Sequence, residues 1–214
     1  MGLKNKAVIL DLGNVVLDWN VDRIVGSLGL EKEKGNLLRK ELFLHQDWLD
    51  MDHGTRTEAD VISRVCSRSR LSKNTVETAL LAAKNSLSLI PETAVLMREI
   101  SDAGIDMFCL SNMSCETYSH IKGQEIFKLF RGIVISGIER CMKPDEDIYR
   151  LTLDRFGLIP GHTIFIDDCI SNIEAAERLG ISGFHFKRSA ACYQAIRNIL
   201  FGDKKAETAE IEKS

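Results

Sequence analysis

The chain of 214 residues lacks a charge excess: 28 Lys and Arg stand against 31 Asp and Glu, a net charge of −3. Without a basic excess or a basic run there is no electrostatic footprint for nucleic acid or for an anionic membrane surface. Neither partner is expected. No apolar run approaches the ~20 residues that a membrane-spanning helix needs. The opening Met-Gly-Leu-Lys-Asn-Lys is polar and leads straight into a strand-like run, which is not the pattern of a signal peptide. The six cysteines, Cys66, Cys109, Cys115, Cys141, Cys169 and Cys192, contain no C-x-x-C pair. In a chain of this length without a secretory leader they read as reduced thiols rather than a disulfide framework. A cytoplasmic location is therefore expected. No internal repeat is visible.

What is present is alternation. Short apolar runs recur at residues 6–12, 105–110, 132–136, 163–166 and 183–186, and helical patterns separate the later ones. The helix predicted over 92–103 follows Pro91 at a favourable first position and places Val95, Leu96, Glu99 and Ile100 at helical spacing. The helix over 145–156 follows Pro144, with Ile148, Leu151, Leu153 and Phe156 on its apolar face. Patterns over 170–179 and 190–201 repeat the theme. Strands alternating with helices through short connectors predict an α/β fold, a doubly wound, Rossmann-like parallel sheet covered on both faces.

Between the first two of these runs the pattern changes. Residues 21–30, 34–44, 57–68 and 72–87 read as helices, with Thr57 and Asp60 as a capping box, Ser72 as an N-cap and Gly54 at a turn. The expected organisation is a core of residues 1–17 and 90–202, a helical insert over 18–89, and a charged tail over 203–214 with too little apolar area to offset the entropy of ordering.

Four predicted strands end on residues suited to one task. Asp11 closes Ala7-Val8-Ile9-Leu10. Ser111-Asn112 closes Met107-Phe108-Cys109-Leu110. Asp167-Asp168 closes Thr163-Ile164-Phe165-Ile166, and two adjacent carboxylates repel unless a cation sits between them. Lys143, in Cys141-Met142-Lys143-Pro144, follows the run at 132–136. In an open parallel sheet, ligands bind beyond the carboxyl ends of the strands. Asp11 and Asp168 are hard oxygen donors suited to Mg²⁺. Lys143 is a point charge suited to a phosphoryl group, and an activated carboxylate nucleophile needs such a set.

In order and spacing these motifs resemble the haloacid dehalogenase superfamily: Asp11, Ser111, Lys143 in Met-Lys-Pro-Asp, and the acidic pair in Ile-Asp-Asp-Cys-Ile-Ser-Asn-Ile-Glu-Ala-Ala. The helical insert resembles that family's cap, and His53-Gly54-Thr55-Arg56-Thr57-Glu58-Ala59-Asp60 is similar to its glycine turn into a cap helix. Asp-Leu-Gly-Asn-Val is closest in pattern to α-D-glucose-1-phosphate phosphatase-like members. The resemblance implies a Mg²⁺-dependent phosphatase of a small phosphorylated metabolite, such as a sugar phosphate. Asp11 would attack phosphorus. Asp11, the Gly13 carbonyl and Asp168 would hold the metal, with Asp167 and Asn172 orienting its waters. Ser111, Asn112 and Lys143 would hold the phosphoryl group.

One part of the family pattern is missing. Family phosphatases usually carry an aspartate two residues after the nucleophile, where this chain has Gly13. General acid–base assistance is worth roughly 10²–10⁴-fold. Three explanations stay open: a leaving group that needs little help, a substitute from the insert (His45, Asp52 or His53) or a water, or a slow enzyme. His45 and Trp48 are also candidates for substrate contact, although each suits helix packing as well. Arg56 suits either a second anionic group or a solvated surface. Two other readings remain. One is a 2-haloacid dehalogenase, which also lacks the second aspartate; an uncompensated acidic pair argues against it. The other is a catalytically weak binding or regulatory module on the same fold.

Overall fold

The computed structural model describes residues 6–211, with side chains described as far as Gly202. Among these residues the strands are β1 (Ala7–Leu10), β2 (Leu17–Asp18), β3 (Ser88–Leu89), β4 (Asp106–Ser111), β5 (Gly132–Ile135), β6 (Thr163–Asp167) and β7 (Ser182–His185). Five of them form one parallel sheet in the order β5-β4-β1-β6-β7. The chain builds outward from central β1 to β5, then crosses back to build β6 and β7 on the other side. This is a doubly wound sheet, and its crevice lies where the winding reverses.

Side-chain alternation along β1 divides the core. Val8 and Leu10 face one layer with α6 (Pro91–Asp102), α7 (Cys115–Ile121) and α11 (Ala190–Ile211). Ala7 and Ile9 face the other, with α9 (Glu146–Phe156) and α10 (Ile170–Arg178). Both faces of the central strand are buried, which is why β1 reads as a continuous apolar run. All five expected strands are present, with ends moved by a residue or two. Helix α11 runs into the segment expected as an unstructured tail; side chains beyond Gly202, and residues 212–214, lie outside the described residues.

The insert has its own core, built by α1 (Val21–Ser27), α2 (Lys32–Leu38), α3 (Gln46–Asp52), α4 (Glu58–Ser69) and α5 (Lys73–Ser86) around Leu38, Leu42, Val61, Val65 and Val76. The capping box at Thr57 and Asp60 is formed, and Ser72 caps α5. The single helix expected over 34–44 is instead α2 followed by a π-helical turn, Arg39–Phe43. Leaving and entering segments are tied together, because β2 pairs antiparallel with β3. Two residues on each side are too few to show strand alternation, so this ribbon has no signature in the sequence.

Candidate active site

The site is assembled where β1, β4 and β6 end. Backbone pairing continues one residue past β1, with the Asp11 N–H donating to Ile166 O at 3.0 Å, which fixes Asp11 beside the end of β6. The chain then turns sharply. The N–H groups of Val16 and Leu17 return to Leu12 O at 2.9 and 2.7 Å, and Asn14 adopts a left-handed φ of 55°. Asparagine tolerates that conformation better than most residues. Buried Thr93 holds the loop from below, donating to Val15 O at 2.6 Å and meeting the Tyr193 hydroxyl at 2.8 Å.

Lys143 lies at the centre and is almost wholly buried. Its Nζ sits 2.8 Å from Asp11 Oδ1, 2.7 Å from Asp167 Oδ2 and 3.0 Å from Leu110 O. Three partners match the three protons of an ammonium. Asn112 locks the lysine backbone from both directions: its Nδ2 donates to Lys143 O at 2.8 Å, and its Oδ1 accepts the Lys143 N–H at 2.9 Å. Burial opposes the lysine's charge, but Asp11 and Asp167 more than offset it and hold its pKa above the ordinary lysine range.

Asp167 is fully buried and fully engaged. Besides Lys143 it accepts from the Cys169 N–H at 2.8 Å and from Asn172 Nδ2 at 3.1 Å on each oxygen. Asp168 is more open. Its Oδ2 accepts from Asn14 Nδ2 at 3.2 Å, and its main-chain oxygen contacts His185 Nε2 at 3.0 Å. Oxygens of Asp11, Asp167 and Asp168 lie within 4.8 Å of one another. Burial pushes the Asp11 carboxyl up to about 6; Lys143 pulls it down, and Asp167 and Asp168 add to the rise. Burial also raises Asp168, with the Asn14 hydrogen bond working against it. Three carboxylates against one ammonium leave an excess of negative charge, and hard oxygen donors in this arrangement fit a divalent cation such as Mg²⁺.

Above these residues a cleft opens between insert and core. Its lining includes Gly13, Ser111, Asn112 and Met113 from the core, and Trp19, Trp48, Asp52, Lys84 and Leu87 from the insert and its approaches. Trp19 and Trp48 pack at 5.4 Å between ring centroids, with Phe43 5.1 Å from Trp48. Lys84 is bound to Glu58 at 2.8 and 2.9 Å. Burial pushes the Asp52 carboxyl up to about 8, while the Ser114 backbone N–H and the Trp48 side chain pull it down. Ser136 opens α8 (Ser136–Glu139), and its hydroxyl accepts the Met113 N–H at 2.9 Å and donates to the main-chain oxygen of Asp52, joining insert to core.

The structure thus brings Asp11, Lys143, Asp167, Asp168 and Asn172 together, and Gly13, Ser111, Asn112 and Trp48 line the adjoining cleft. His45 does not line it. That side chain caps α3, with Nδ1 accepting the Asp47 N–H at 3.1 Å. His53 ends α3 and also lies outside the lining. Arg56 is paired with Asp50 at 3.0 Å. The Cys169 thiol is exposed and meets Ser171 Oγ. Sequence reasoning missed two contributors: Asn14, which holds Asp168, and Ser136, which joins the two layers. Asn112 was expected at the phosphoryl group, and its side chain has the further task of clamping Lys143. Asn14 carried a signal, as an asparagine in a turn; Ser136 carried none.

Residues 6–180 match the family described as haloacid dehalogenase-like hydrolase. The chain belongs to that family. This hydrolase is 25% identical over 196 residues to the sesquiterpene phosphatase astK of Aspergillus oryzae, covering 91% of the present chain and 96% of the relative. Its fold is similar to that of a haloacid dehalogenase (HAD) family enzyme from Bacteroides thetaiotaomicron solved in complex with magnesium and inorganic phosphate. The TM-score is 0.68 at 19% identity, over 86% of this chain and 94% of that one. It is also similar to the L-2-haloacid dehalogenase of Xanthobacter autotrophicus with chloropropionic acid covalently bound, at a TM-score of 0.64 and 19% identity over 91% and 82% of the two chains. At these identities the likeness is one of fold.

Proposed function

We propose that this hydrolase cleaves phosphomonoesters with Mg²⁺, through a phosphoryl group carried transiently on Asp11. The observation that supports this most directly is Lys143 Nζ, placed 2.8 Å from Asp11 Oδ1 and backed by Asp167. A cation beside the nucleophile suits a phosphoryl dianion approaching that carboxylate. The acidic pair argues against a haloacid carboxylate as substrate, because it adds negative charge where that substrate would bind.

In this reading Asp11, the Gly13 carbonyl and Asp168 hold the metal, and Asp167 and Asn172 support them from behind. When bound, Mg²⁺ neutralises charge on the phosphoryl oxygens. Asp11 attacks phosphorus, and the bond to the leaving oxygen breaks. Ser111 and the Asn112 N–H hold the equatorial oxygens, and Lys143 shares its protons between Asp11 and the incoming group. Water then hydrolyses the aspartyl-phosphate. Most of this is positioning and charge neutralisation.

The substrate we assign is a small phosphorylated metabolite. Trp19, Trp48, Leu87 and Met113 give the cleft a largely apolar wall. Such a wall suits the face of a sugar ring or an apolar organic group, and the Aspergillus relative is named for a sesquiterpene. The deciding experiment is a Mg²⁺-supported phosphatase screen over sugar phosphates, acyl phosphates, nucleotides and isoprenyl phosphates. Phosphate release that Asp11→Asn abolishes supports the reading. Metal-independent chloride release from 2-chloropropionate would replace it with dehalogenation. Failure to trap BeF₃⁻ at Asp11 with Mg²⁺ would leave a non-catalytic module.

A further inference from the structure

We infer that Asp52, carried on α3 of the insert, is the general acid–base of this reaction and supplies across the cleft the carboxyl that Gly13 lacks. The inference rests on the phosphatase reading above. Gly13 and Asp52 line the same cleft, and among the described lining residues Asp52 is the one carboxylic acid. The nucleophile lies two residues before Gly13. On the proposed reaction, a leaving oxygen that departs on the Gly13 side of Asp11 enters the cleft that Asp52 lines.

Asp52 is anchored from the core, as a proton donor must be. Its main-chain oxygen accepts from Ser136 Oγ, and its carboxyl interacts with the Ser114 N–H and the Trp48 side chain. The other acids of α3 are tied up in ion pairs. Asp47 is bound by Arg64 at 2.7 Å and Arg68 at 2.5 Å, and Asp50 by Arg56 at 3.0 Å. Among the described residues none of the ion pairs includes Asp52. Lys84 of α5, which shares the cleft lining, is matched by Glu58 of α4, Lys143 by Asp11 and Asp167, and Glu139, on the core helix that packs on α3, by Arg155. Glu116 of α7 accepts the Glu58 N–H at 3.1 Å. Withdrawal from water, with no cation to offset it, pushes this carboxyl up to about 8 although the Ser114 N–H and the Trp48 side chain work against the rise.

The proton count closes. In the first step an Asp11 oxygen bonds to phosphorus, the bond from phosphorus to the ester oxygen breaks, and the Asp52 proton passes to that oxygen to release an alcohol. In the second, water bonds to phosphorus and gives its proton to the Asp52 carboxylate. The bond from phosphorus to Asp11 then breaks, phosphate leaves, and both carboxyl groups return to their starting states.

The test compares wild type with Asp52→Asn, in the presence of Mg²⁺, on two substrates. One is p-nitrophenyl phosphate, whose leaving group needs no proton; the other is a primary alkyl phosphate, whose leaving group does. Alkyl phosphate turnover is expected to fall roughly 10²–10⁴-fold. With p-nitrophenyl phosphate, the first equivalent of nitrophenolate appears as fast as in wild type. Turnover then stalls with phosphate held on Asp11. Adding Gly13→Asp to this variant is expected to restore part of the alkyl phosphate rate. Unchanged alkyl phosphate turnover in Asp52→Asn overturns the assignment, and so does equal loss on both substrates from the first turnover in a folded variant. Should the variant not fold, wild type alone decides. An alkaline decline in kcat/KM for the alkyl ester that is absent from the nitrophenyl burst supports Asp52, and an identical decline on both removes it. Wild type inert toward every phosphate ester, with Asp11→Asn making no difference, would instead overturn the phosphatase reading.

Discussion

Gly54 of the insert and Gly137 of the core meet backbone to backbone: a Cβ on Gly54 would stand 2.2 Å from the Gly137 carbonyl oxygen. Gly54 also has a φ of +78°, so a side chain there meets both strain and collision. Gly54→Ala is expected to cost about 1–3 kcal/mol. It should also lower turnover by pushing the insert off the core. Gly29→Ala is the control, since Gly29 has a φ of +62° but open space around it. It should lose stability without losing activity. Thermal melts and steady-state rates of both variants check this; matching profiles would show that the Gly54 contact does not matter.

Asp11→Asn and Lys143→Met should separate chemistry from stability. The asparagine variant keeps the size and the hydrogen-bonding oxygen of Asp11, so it should fold normally and lose turnover. Removing the Lys143 ammonium strands the buried Asp167 carboxylate, and breaking a buried pair costs about 3–5 kcal/mol. Denaturant unfolding should therefore show a large loss for Lys143→Met and little change for Asp11→Asn. Comparable stabilities would mean that the lysine is not the keystone its contacts describe.

Metal removal should abolish turnover reversibly. Chelation followed by Mg²⁺ should restore activity. Saturating Mg²⁺ should raise the melting temperature, since a ligand at a hundred times its Kd adds about 2.7 kcal/mol to the folded state. Asp168→Asn should lose both responses. Full activity in excess chelator would remove the metal from the mechanism.

Asp52 carries a stability prediction whose sign runs opposite to that of most catalytic changes. Its folded pKa, about 8, lies above the ordinary value of 3.8. The folded state therefore binds this proton more tightly than the unfolded chain does. The stability from that preference is whole below pH 3.8 and is lost as pH rises toward 8. Asp52→Asn escapes this loss because an amide does not titrate. The variant should gain melting temperature over wild type, by an amount that grows from pH 5 to pH 8, while losing alkyl phosphate turnover. A residue kept for packing alone would show loss of stability at every pH.

Much of this was legible in the sequence for physical reasons. β1, β4 and β6 are buried on both faces, so they read as apolar runs, and the polar residues that end them stand out as the site. The box at Thr57 and Asp60 is a local pattern, visible in four consecutive residues. What escaped was short or nonlocal. Helices α3 and α7 have seven residues each, and α3 starts on a histidine cap, outside the usual set of capping residues. Ser136 bonds a residue 84 positions away. Nothing in the stretch Val134-Ile135-Ser136-Gly137 points to Asp52.

The ribbon of β2 and β3 has a mechanical consequence. The insert leaves and rejoins the core through Leu17 opposite Leu89 and Asp18 opposite Ser88. Two chains laced side by side bend out of their plane more readily than they twist about their length. A helical layer carried on such a strap would tilt along one arc instead of swivelling, in the manner of a hinge. On the proposed reaction such a tilt would admit substrate and release phosphate. Tilting along one arc would return Trp48 and Asp52 to the same place, so the alignment that the proposed proton transfer needs would be kept by a ribbon bonded to the turn after Asp11.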